Sequence, residues 1–293
     1  MPLGRTGSEM PAWLGGIPVL GSGLGFRPPW RDSLIGRDAQ ASKVDFLEIT
    51  ADHYLDAPRW KLAELTALRE HFTLIPHALD LSLGTAEGID QGYLDKLAEL
   101  VEYLDPPYWS EHLAFTKAGG RELGHLAPLP FSNEAVDVVA RNVEMAKRVI
   151  AQPLILENIT CDLTMPGSHL PETVFLGEVF AAADCGWLLD VTNLLINSRN
   201  HDRSIGAFLD EAPLERVVQL HYVGFARSSS GRLIDNHGAR TNDEVWDLME
   251  LILQRASPRG AILERDQNLP EFGEIMGEVE KTRQLGREAG RWN

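Results

Sequence analysis

The sequence has few cysteines and lacks a long apolar run. Its two cysteines, Cys161 and Cys185, are too few for a disulfide framework, and they lack the paired spacing of a zinc ribbon or an iron–sulfur site. It contains no run of about 18 apolar residues, and residues 1–16 lack the continuous apolar stretch of a signal peptide. We therefore expect a soluble protein that stays in the reducing cytoplasm and has no membrane partner.

Positive charge is also scarce. The chain has 27 Lys and Arg residues against 43 Asp and Glu residues, which gives a formal net charge of −16. Such a surface repels a phosphate backbone, so we expect no nucleic-acid partner. A solvated acidic surface explains much of this excess, but carboxylates that bind cations also contribute to a charge counted without the metal.

Neither a nucleophilic triad nor a dinucleotide-binding loop is visible. Cys161 and the serines near strand ends have no recognisable His and Asp partners, which disfavours a hydrolase triad. The glycine-rich segment 21–25 does not have the spacing G-x-G-x-x-G, because residue 26 is Phe. We expect Gly23 and Gly25 instead to let the first strand-to-helix loop pass close to a pocket.

A short apolar run, a polar or glycine-rich turn and an amphipathic helix recur along the chain. The pattern predicts eight strands: Ile17–Ser22, Val44–Thr50, Thr73–Pro76, Tyr108–Glu111, Pro153–Glu157, Trp187–Val191, Val217–Tyr222 and Gly260–Glu264. It predicts helices at Trp60–His71, Gly92–Tyr103, Asn133–Val149, Pro171–Ala183, Asp243–Arg255 and Glu271–Gly286. Asn133 and Asn242 are predicted N-caps.

This alternation favours an α/β fold of the closed (β/α)8 kind, a TIM barrel, over a doubly wound open sheet. The sequence has no composition break or Pro/Ser-rich linker that would separate two domains. We therefore expect one TIM-barrel domain over residues 1–293, with residues 1–16 as a flexible N-terminal extension.

Almost every predicted strand ends near residues that can bind a metal. They are Glu48 with Asp52-His53, His77 with Asp80, Glu111-His112, Glu157-Asn158, Asp190 with Asn193, His221, Asp235-Asn236-His237 and Glu264-Arg265-Asp266. In a barrel the carboxyl ends of all strands meet at one rim, where active sites are built. A lone His at a strand end is more often a hydrogen-bonded structural residue, so this prediction rests on the coincidence of many strand ends.

The types of these residues indicate which metals fit. Imidazole and carboxylate ligands without thiolate suit iron, manganese or zinc. Because one divalent ion takes about three to six ligands, the number of candidates predicts a site of two or three ions with bridging carboxylates.

These residues belong to motifs that resemble the DUF692 (UPF0276) family over most of the chain. The motifs are Gly23-Leu24-Gly25-Phe26-Arg27-Pro28-Pro29, Phe46-Leu47-Glu48, His77 with Leu81-Ser82-Leu83-Gly84, Ser110-Glu111-His112-Leu113-Ala114, Leu156-Glu157-Asn158, Leu189-Asp190-Val191 with Asn193, Gln219-Leu220-His221, Ile234-Asp235-Asn236-His237 and Glu264-Arg265-Asp266. Members are multinuclear non-haem iron oxidative enzymes (MNIO), which modify ribosomally synthesised peptides.

The resemblance implies a xylose-isomerase-like barrel with two or three irons as mixed Fe(II)/Fe(III), and dioxygen as co-substrate. It implies these metal ligands: Asp52, His77, His112, Glu157, Asn158, Asp190, Asn193, His221, Asp235, His237 and Glu264. Asp52, His53, Arg265 and Asp266 are the candidate catalytic residues, with Arg265 either clamping a peptide carboxylate or Asp266, or forming a structural ion pair. The expected substrate is a Cys, or an Asp or Asn, of a precursor peptide, whose leader a small partner protein commonly delivers.

The chain departs from the common family pattern at Thr50, at Asp52-His53 and at Phe225. Asp52, the aromatic residue at 225 and Glu264-Arg265-Asp266 resemble the branch that acts in methanobactin biosynthesis. Two alternatives stay open at this point. One is a zinc- or manganese-dependent sugar isomerase or endonuclease-like hydrolase on the same barrel. The other is a metal-dependent peptide-binding protein without catalytic activity.

Overall fold

The computed structural model describes residues 11–36 and 41–292. Within these ranges the strands are β1 (Gly21–Gly25), β2 (Phe46–Thr50), β3 (Thr73–His77), β4 (Trp109–His112), β5 (Phe115–Ala118), β6 (Arg121–Ala127), β7 (Leu154–Glu157), β8 (Gly186–Asp190), β9 (Val217–Tyr222), β10 (Gly224–Arg227), β11 (Leu233–Ala239) and β12 (Gly260–Leu263). The helices are α1 (Arg31–Ile35), α2 (Arg59–Arg69), α3 (Gln91–Leu104), α4 (Asn133–Lys147), α5 (Glu172–Ala183), α6 (Val191–Asn200), α7 (Ile205–Glu211), α8 (Asp243–Arg255) and α9 (Phe272–Glu288).

Eight parallel strands close the barrel in the order β1-β2-β3-β4-β7-β8-β9-β12. The other four strands form two antiparallel hairpins, β5-β6 and β10-β11, which leave the barrel after β4 and β9. The predicted (β/α)8 barrel is therefore confirmed. In the described ranges, no helix is long and apolar enough to cross a membrane.

The first strand is the main error in the predicted element positions, because it lies at Gly21–Gly25 and not at Ile17–Ser22. An added Cβ at Gly23 would lie only 2.6 Å from Ile262 Cδ1 and 2.7 Å from Phe46 Cε1. Glycine is thus needed inside the barrel wall, where large side chains from neighbouring strands fill the space. Gly23 and Gly25 thus both lie in β1 itself, and not in the strand-to-helix loop where they were expected.

The interior of the barrel has an apolar layer below a polar one. Side chains of successive barrel strands, among them Phe46, Ile75, Tyr108, Ile155, Leu188, Val218 and Ile262, form a separate buried cluster. Because side chains alternate between the two faces of a strand, the residue two positions further on faces the interior again. For six of these seven residues the side chain two positions on is polar: Glu48, His77, Ser110, Glu157, Asp190 and Glu264. In β9 the register shifts by a bulge, so Gln219 and His221, and not Leu220, join the polar layer. The period of two therefore stacks polar groups directly above the apolar layer.

One of the two predicted helix N-caps is confirmed, and the other is displaced by one residue. Ser132 is the N-cap of α4 and accepts from Ala135 N, so the predicted cap at Asn133 is wrong by one residue. Asn242 is the N-cap residue of α8, as predicted, but its side chain accepts from Phe225 N.

Of the extension expected at residues 1–16, residues 1–10 lie outside the described residues. Ala12–Gly16 forms a 3₁₀ helix that buries Leu14.

Candidate metal centre

Among residues 11–36 and 41–292, the C-terminal rim of the barrel brings histidines and carboxylates into three groups, each sharing a residue with the next. The first group is His77, His112 and Glu157; the second is Glu157, Asp190, His221 and Glu264; the third is His237, Glu264 and Asp266. In each group one ligand atom from every residue lies within 4.8 Å of the others. Glu157 and Glu264 each belong to two groups, so each carboxylate is placed to bridge two ions.

Glu157 lies at the centre of the first two groups. Its Oε2 is 3.3 Å from His77 Nε2 and 3.5 Å from His112 Nε2, and its Oε1 is 3.4 Å from His221 Nδ1. Burial alone would raise the pKa of Glu157, but the neighbouring His221 and His112 outweigh it and lower this pKa to about 2. The carboxylate therefore stays charged, with one oxygen directed toward each group.

Glu264 connects the second and third groups. Its Oε2 lies 3.1 Å from His221 Nδ1 and 3.7 Å from His237 Nδ1. Asp266 Oδ2 lies 3.0 Å from the same nitrogen of His237. Burial opposes protonation of His237, but the charges of Glu264, Asp235 and Asp266 raise its pKa to about 12 in the metal-free chain. A metal ion would replace that proton and satisfy the same carboxylates.

In three of the four histidines of these groups, a polar side chain holds the second ring nitrogen. His221 Nε2 lies 3.0 Å from Glu48 Oε2, and His77 Nδ1 lies 2.8 Å from Ser110 Oγ. His237 Nε2 lies 3.1 Å from Asp235 Oδ2. Such partners fix the tautomer and direct the opposite nitrogen toward a metal. Asp235, one of the predicted ligands, thus contacts a histidine of the third group from outside that group.

A buried chain of hydrogen bonds supports Glu48 from below. Gln219 Nε2 donates to Glu48 Oε2 at 2.7 Å, and Tyr108 Oη donates to Gln219 Oε1 at 2.6 Å. All of these side chains are buried among the strands β2, β9 and the start of β4. Glu48 is among the strand-end residues of the sequence but not among the eleven predicted ligands. The two-residue alternation of side chains along β2 places Glu48 on the same inner face as Phe46, and this feature of the sequence could have identified it.

We expect Glu48→Gln to weaken metal binding in the second group, since the amide presents an N–H to Gln219 and no longer carries the charge that His221 faces. Partners that orient a ligand typically contribute about 10–100-fold to metal affinity. Titration of the metal-free variant with Fe(II), followed by metal analysis, measures this loss. Glu64→Gln is the matched control, because Glu64 is also buried but pairs with Tyr54 and Arg31. Unchanged affinity in Glu48→Gln would exclude the orienting role.

Several atoms in these groups or beside them are buried yet lack a hydrogen-bond partner within the described part of the chain. They are His112 Nδ1, Glu157 Oε2, Asp190 Oδ2, Asn193 Oδ1, His221 Nδ1, Asp235 Oδ1 and His237 Nδ1. Leaving one buried polar atom unpaired costs about 1–3 kcal/mol, and bound ions are one recognised explanation. Their concentration in one place, on imidazole, carboxylate and amide atoms, fits a metal cluster.

Not every predicted ligand lies in the groups. Asp52 accepts from Leu79 N and Tyr93 Oη, and Asn158 Oδ1 accepts from Trp187 Nε1 and Asp190 N. His53 is exposed and also lies outside the groups. Asn193 donates from its backbone to Asp190 Oδ1, and its own side-chain oxygen remains without a partner among the described residues.

Arg27, and not Arg265, holds Asp266. Arg265 is buried and pairs with Glu278 Oε1 at 3.1 Å, which corrects the hypothesis that it clamps Asp266 and agrees with the structural ion pair. Arg27 Nε donates to Asp266 Oδ1 at 2.8 Å. Sequence adjacency to Asp266 was misleading, because neighbouring residues at a strand end point to opposite faces. The motif around Arg27 was the signal that could have identified it.

The fold and the site together indicate a class of protein: a TIM barrel with a candidate metal centre of His, Asp and Glu side chains at its C-terminal rim. Within that class, the chain belongs to the family of RiPP precursor modification enzymes MbnB/TglH/ChrH, whose sequence profile matches residues 21–287. RiPP denotes a ribosomally synthesised and post-translationally modified peptide. The resemblance to this family inferred from the sequence motifs is therefore confirmed.

Relatives of known sequence agree with this assignment. A UPF0276 protein of Caulobacter vibrioides is 33% identical over 268 residues, which cover 91% of this chain and 94% of that protein. A UPF0276 protein of Acinetobacter baylyi is 32% identical over 273 residues, or 93% of each chain.

Solved structures give the fold. A xylose isomerase domain containing protein of Salmonella typhimurium superimposes with a TM-score of 0.56 at 11% identity, covering 88% of this chain and 92% of that one. D-psicose 3-epimerase from Clostridium cellulolyticum H10 gives 0.52 at 12% identity, covering 90% and 92%. At such low identity these structures establish the xylose-isomerase-like barrel alone, as predicted.

Proposed function

We propose that the protein is a multinuclear non-haem iron enzyme that uses dioxygen to oxidise a Cys, or an Asp or Asn, of a ribosomally synthesised precursor peptide. The observation that carries the proposal is the sharing of Glu157 and Glu264 among three ligand groups. Shared carboxylates hold neighbouring ions close enough to act on one substrate. Family membership supports the peptide as the substrate.

The donor set supports iron as the metal. The three groups offer imidazole nitrogens and carboxylate oxygens, and both cysteines lie outside them. Such a set suits iron, and its many carboxylates stabilise a higher oxidation state alongside Fe(II). Two or three irons in mixed Fe(II)/Fe(III) states would supply redox chemistry with dioxygen and a Lewis acid for the peptide side chain.

The burial of the groups indicates the side from which the peptide approaches. His77 and His221 are buried, whereas Asp266 in the third group has a 40% exposed side chain. The peptide would therefore reach the second group past the third. In this arrangement Glu48 and Ser110 keep the rings in place, and Asp190, which caps α6 through Oδ1, keeps Oδ2 directed at its group.

The other expected roles stay part of this proposal. A small partner protein that binds the leader segment would bring the precursor to the rim, as the family resemblance implies. Asp266 is a candidate catalytic residue by its place in the third group, while His53 is exposed at the end of a short 3₁₀ helix, Ala51–His53, that follows β2. Phe225, which departs from the family pattern, is buried in the hairpin β10-β11.

The proposal predicts an oxygen-dependent mass change in the precursor peptide encoded beside the gene. The protein is reconstituted with Fe(II) without oxygen, mixed with the peptide and any adjacently encoded partner, and then exposed to air. Mass spectrometry measures the product, with an anaerobic sample and a His221→Ala sample as controls. If a peptide that binds gives the same mass with and without oxygen, the oxidative function is excluded.

A further inference from the structure

Arg27 carries a permanent positive charge beside the third group, which is the most exposed part of the candidate metal centre. Its side chain lies at the end of β1 and is only 14% exposed. Among the residues that the structure describes, it is the one Lys or Arg side chain paired with a carboxylate of the three groups. The first group has no such cation within the described ranges. The three groups therefore differ in the charge that faces them.

The two carboxylates next to Arg27 each divide their oxygens between the guanidinium and a histidine. Asp266 Oδ1 accepts from Arg27 Nε at 2.8 Å, while Oδ2 lies 3.0 Å from His237 Nδ1. Glu264 Oε1 lies 3.7 Å from Arg27 Nη2, while Oε2 faces the histidine nitrogens. One oxygen of each carboxylate is thus directed at the third group, and the other is directed at the guanidinium of Arg27.

The surroundings of Arg27 keep that charge in place. Its Nη1 donates to Phe26 O at 2.8 Å, and an added Cβ at Gly25 would lie 3.2 Å from the same nitrogen. Gly25 therefore leaves room for the guanidinium against the barrel wall. A guanidinium does not deprotonate in proteins, so this charge, unlike that on His237, persists when a metal binds.

We propose that Arg27 is a positioning residue that makes the third group the weakest and most readily exchanged of the three metal positions. When no ion is bound there, Arg27 holds Asp266 and compensates the charge of Glu264. When an ion binds, the same fixed charge repels it. The inference rests on the proposed function only in requiring that the groups bind metal.

Removing Arg27 has two opposing effects on the metal affinity of the third group, and their relative sizes decide whether this affinity rises or falls. Without its contacts to Arg27, the Asp266 side chain is free to move, and ordering it around an ion lowers the affinity. This effect is small, because the short side chain has few torsions to order. Loss of a unit charge within a few ångströms of a divalent ion, even at an effective dielectric constant of about 20, changes affinity by more than a factor of ten. The charge effect is therefore the larger, and removing Arg27 strengthens binding in the third group.

The test compares Arg27→Gln with Arg27→Lys by anaerobic titration of the metal-free full-length protein with Fe(II). Metal per chain is measured at each free-ion concentration. For the native protein we expect two tightly bound ions and a weaker third. In Arg27→Gln the third ion should bind at least tenfold more tightly, whereas Arg27→Lys, which keeps the charge, should resemble the native protein. Arg148→Gln, which removes an exposed charge paired with Glu144 on α4, is the control for net charge.

Thermal unfolding separates the charge effect from a general structural role. In chelator, Arg27→Gln should melt below the native protein, because Glu264 and Asp266 lose their cation. With saturating Fe(II) that deficit should shrink or reverse, which a purely structural role would not produce. Asp266→Asn should lose the third ion and keep two. An unchanged or weaker third ion in a folded Arg27→Gln overturns the inference, whereas a native protein that binds no metal overturns the proposed function instead.

Discussion

Glu157→Gln is expected to remove most of the bound iron and to abolish detectable peptide modification. Glu157 contacts His77, His112 and His221 within 3.3–3.5 Å, so its neutralisation affects two groups at once. Removing a ligand that two ions share should lower metal affinity by more than the roughly 10–100-fold that is typical when a partner outside the ligand set is removed. Metal analysis of the purified variant and mass spectrometry of the peptide measure the two effects.

Glu144→Gln provides the comparison for this variant, since Glu144 lies on the exposed surface of α4. It should keep native iron content and activity. Circular dichroism and gel filtration must show that Glu157→Gln is folded, because a buried cluster of histidines loses its counter-charge. A folded Glu157→Gln protein with native iron content would show that the first two groups are not the metal positions.

Removal of metal is expected to lower thermal stability by an amount that grows as the pH rises from 5.5 to 8.5. In the metal-free chain, burial lowers the pKa of His112, but Glu157, Glu111 and Glu264 outweigh burial and raise this pKa to about 9. Burial likewise lowers the pKa of His237, but Glu264, Asp235 and Asp266 raise it to about 12. Histidines with raised pKa contribute stability that is fully present below their unfolded value of about 6.5 and is lost as the pH rises through the folded pKa.

The acid side of the profile has the opposite cause. The pKa of Glu157, lowered to about 2 chiefly by His221 and His112 against the effect of burial, gives stability that is present above its unfolded value of about 4.3 and is lost as the pH falls toward 2. The metal-free chain should therefore be most stable near pH 5–6. Metal binds deprotonated imidazole, so the metal-bound protein gains stability as the pH rises.

Differential scanning calorimetry with Fe(II) and with chelator measures the difference in melting temperature. One site at 100 times its Kd contributes about 2.7 kcal/mol, which corresponds to roughly 4 °C for a chain of this size. Folded Glu157→Gln should show a much smaller difference. A difference that is constant or decreases from pH 5.5 to 8.5 would contradict metal binding by these histidines.

The alternation along the strands explains why so much of the barrel and its rim was predictable. Seven of the eight strands lie within about two residues of their predicted ends. Glu157 and Asp190 each follow an apolar interior residue by two positions, so strand ends with polar side chains indicate a shared rim. The ligand types, imidazole and carboxylate, were then sufficient to predict a metal centre.

The remaining features depend on three-dimensional contacts that the sequence pattern does not specify. β1 is a glycine-rich strand whose wall position is set by Phe46 and Ile262, so its sequence resembles a loop. Arg27 reaches Asp266 from a distance of 239 residues in sequence, whereas the adjacent Arg265 faces Glu278. In the short hairpin β10-β11 the apolar residues do not alternate regularly with polar ones, so the sequence gives no strong periodic pattern there.

Anomalous diffraction at the iron absorption edge, from crystals of protein reconstituted anaerobically with Fe(II), would locate each bound iron relative to the three groups. The account predicts one iron peak in the first group, one in the second and a third peak of lower occupancy between His237, Glu264 and Asp266, with Glu157 and Glu264 bridging. Iron peaks coordinated by other residues, or no iron at these groups in a protein that modifies its peptide, would contradict it.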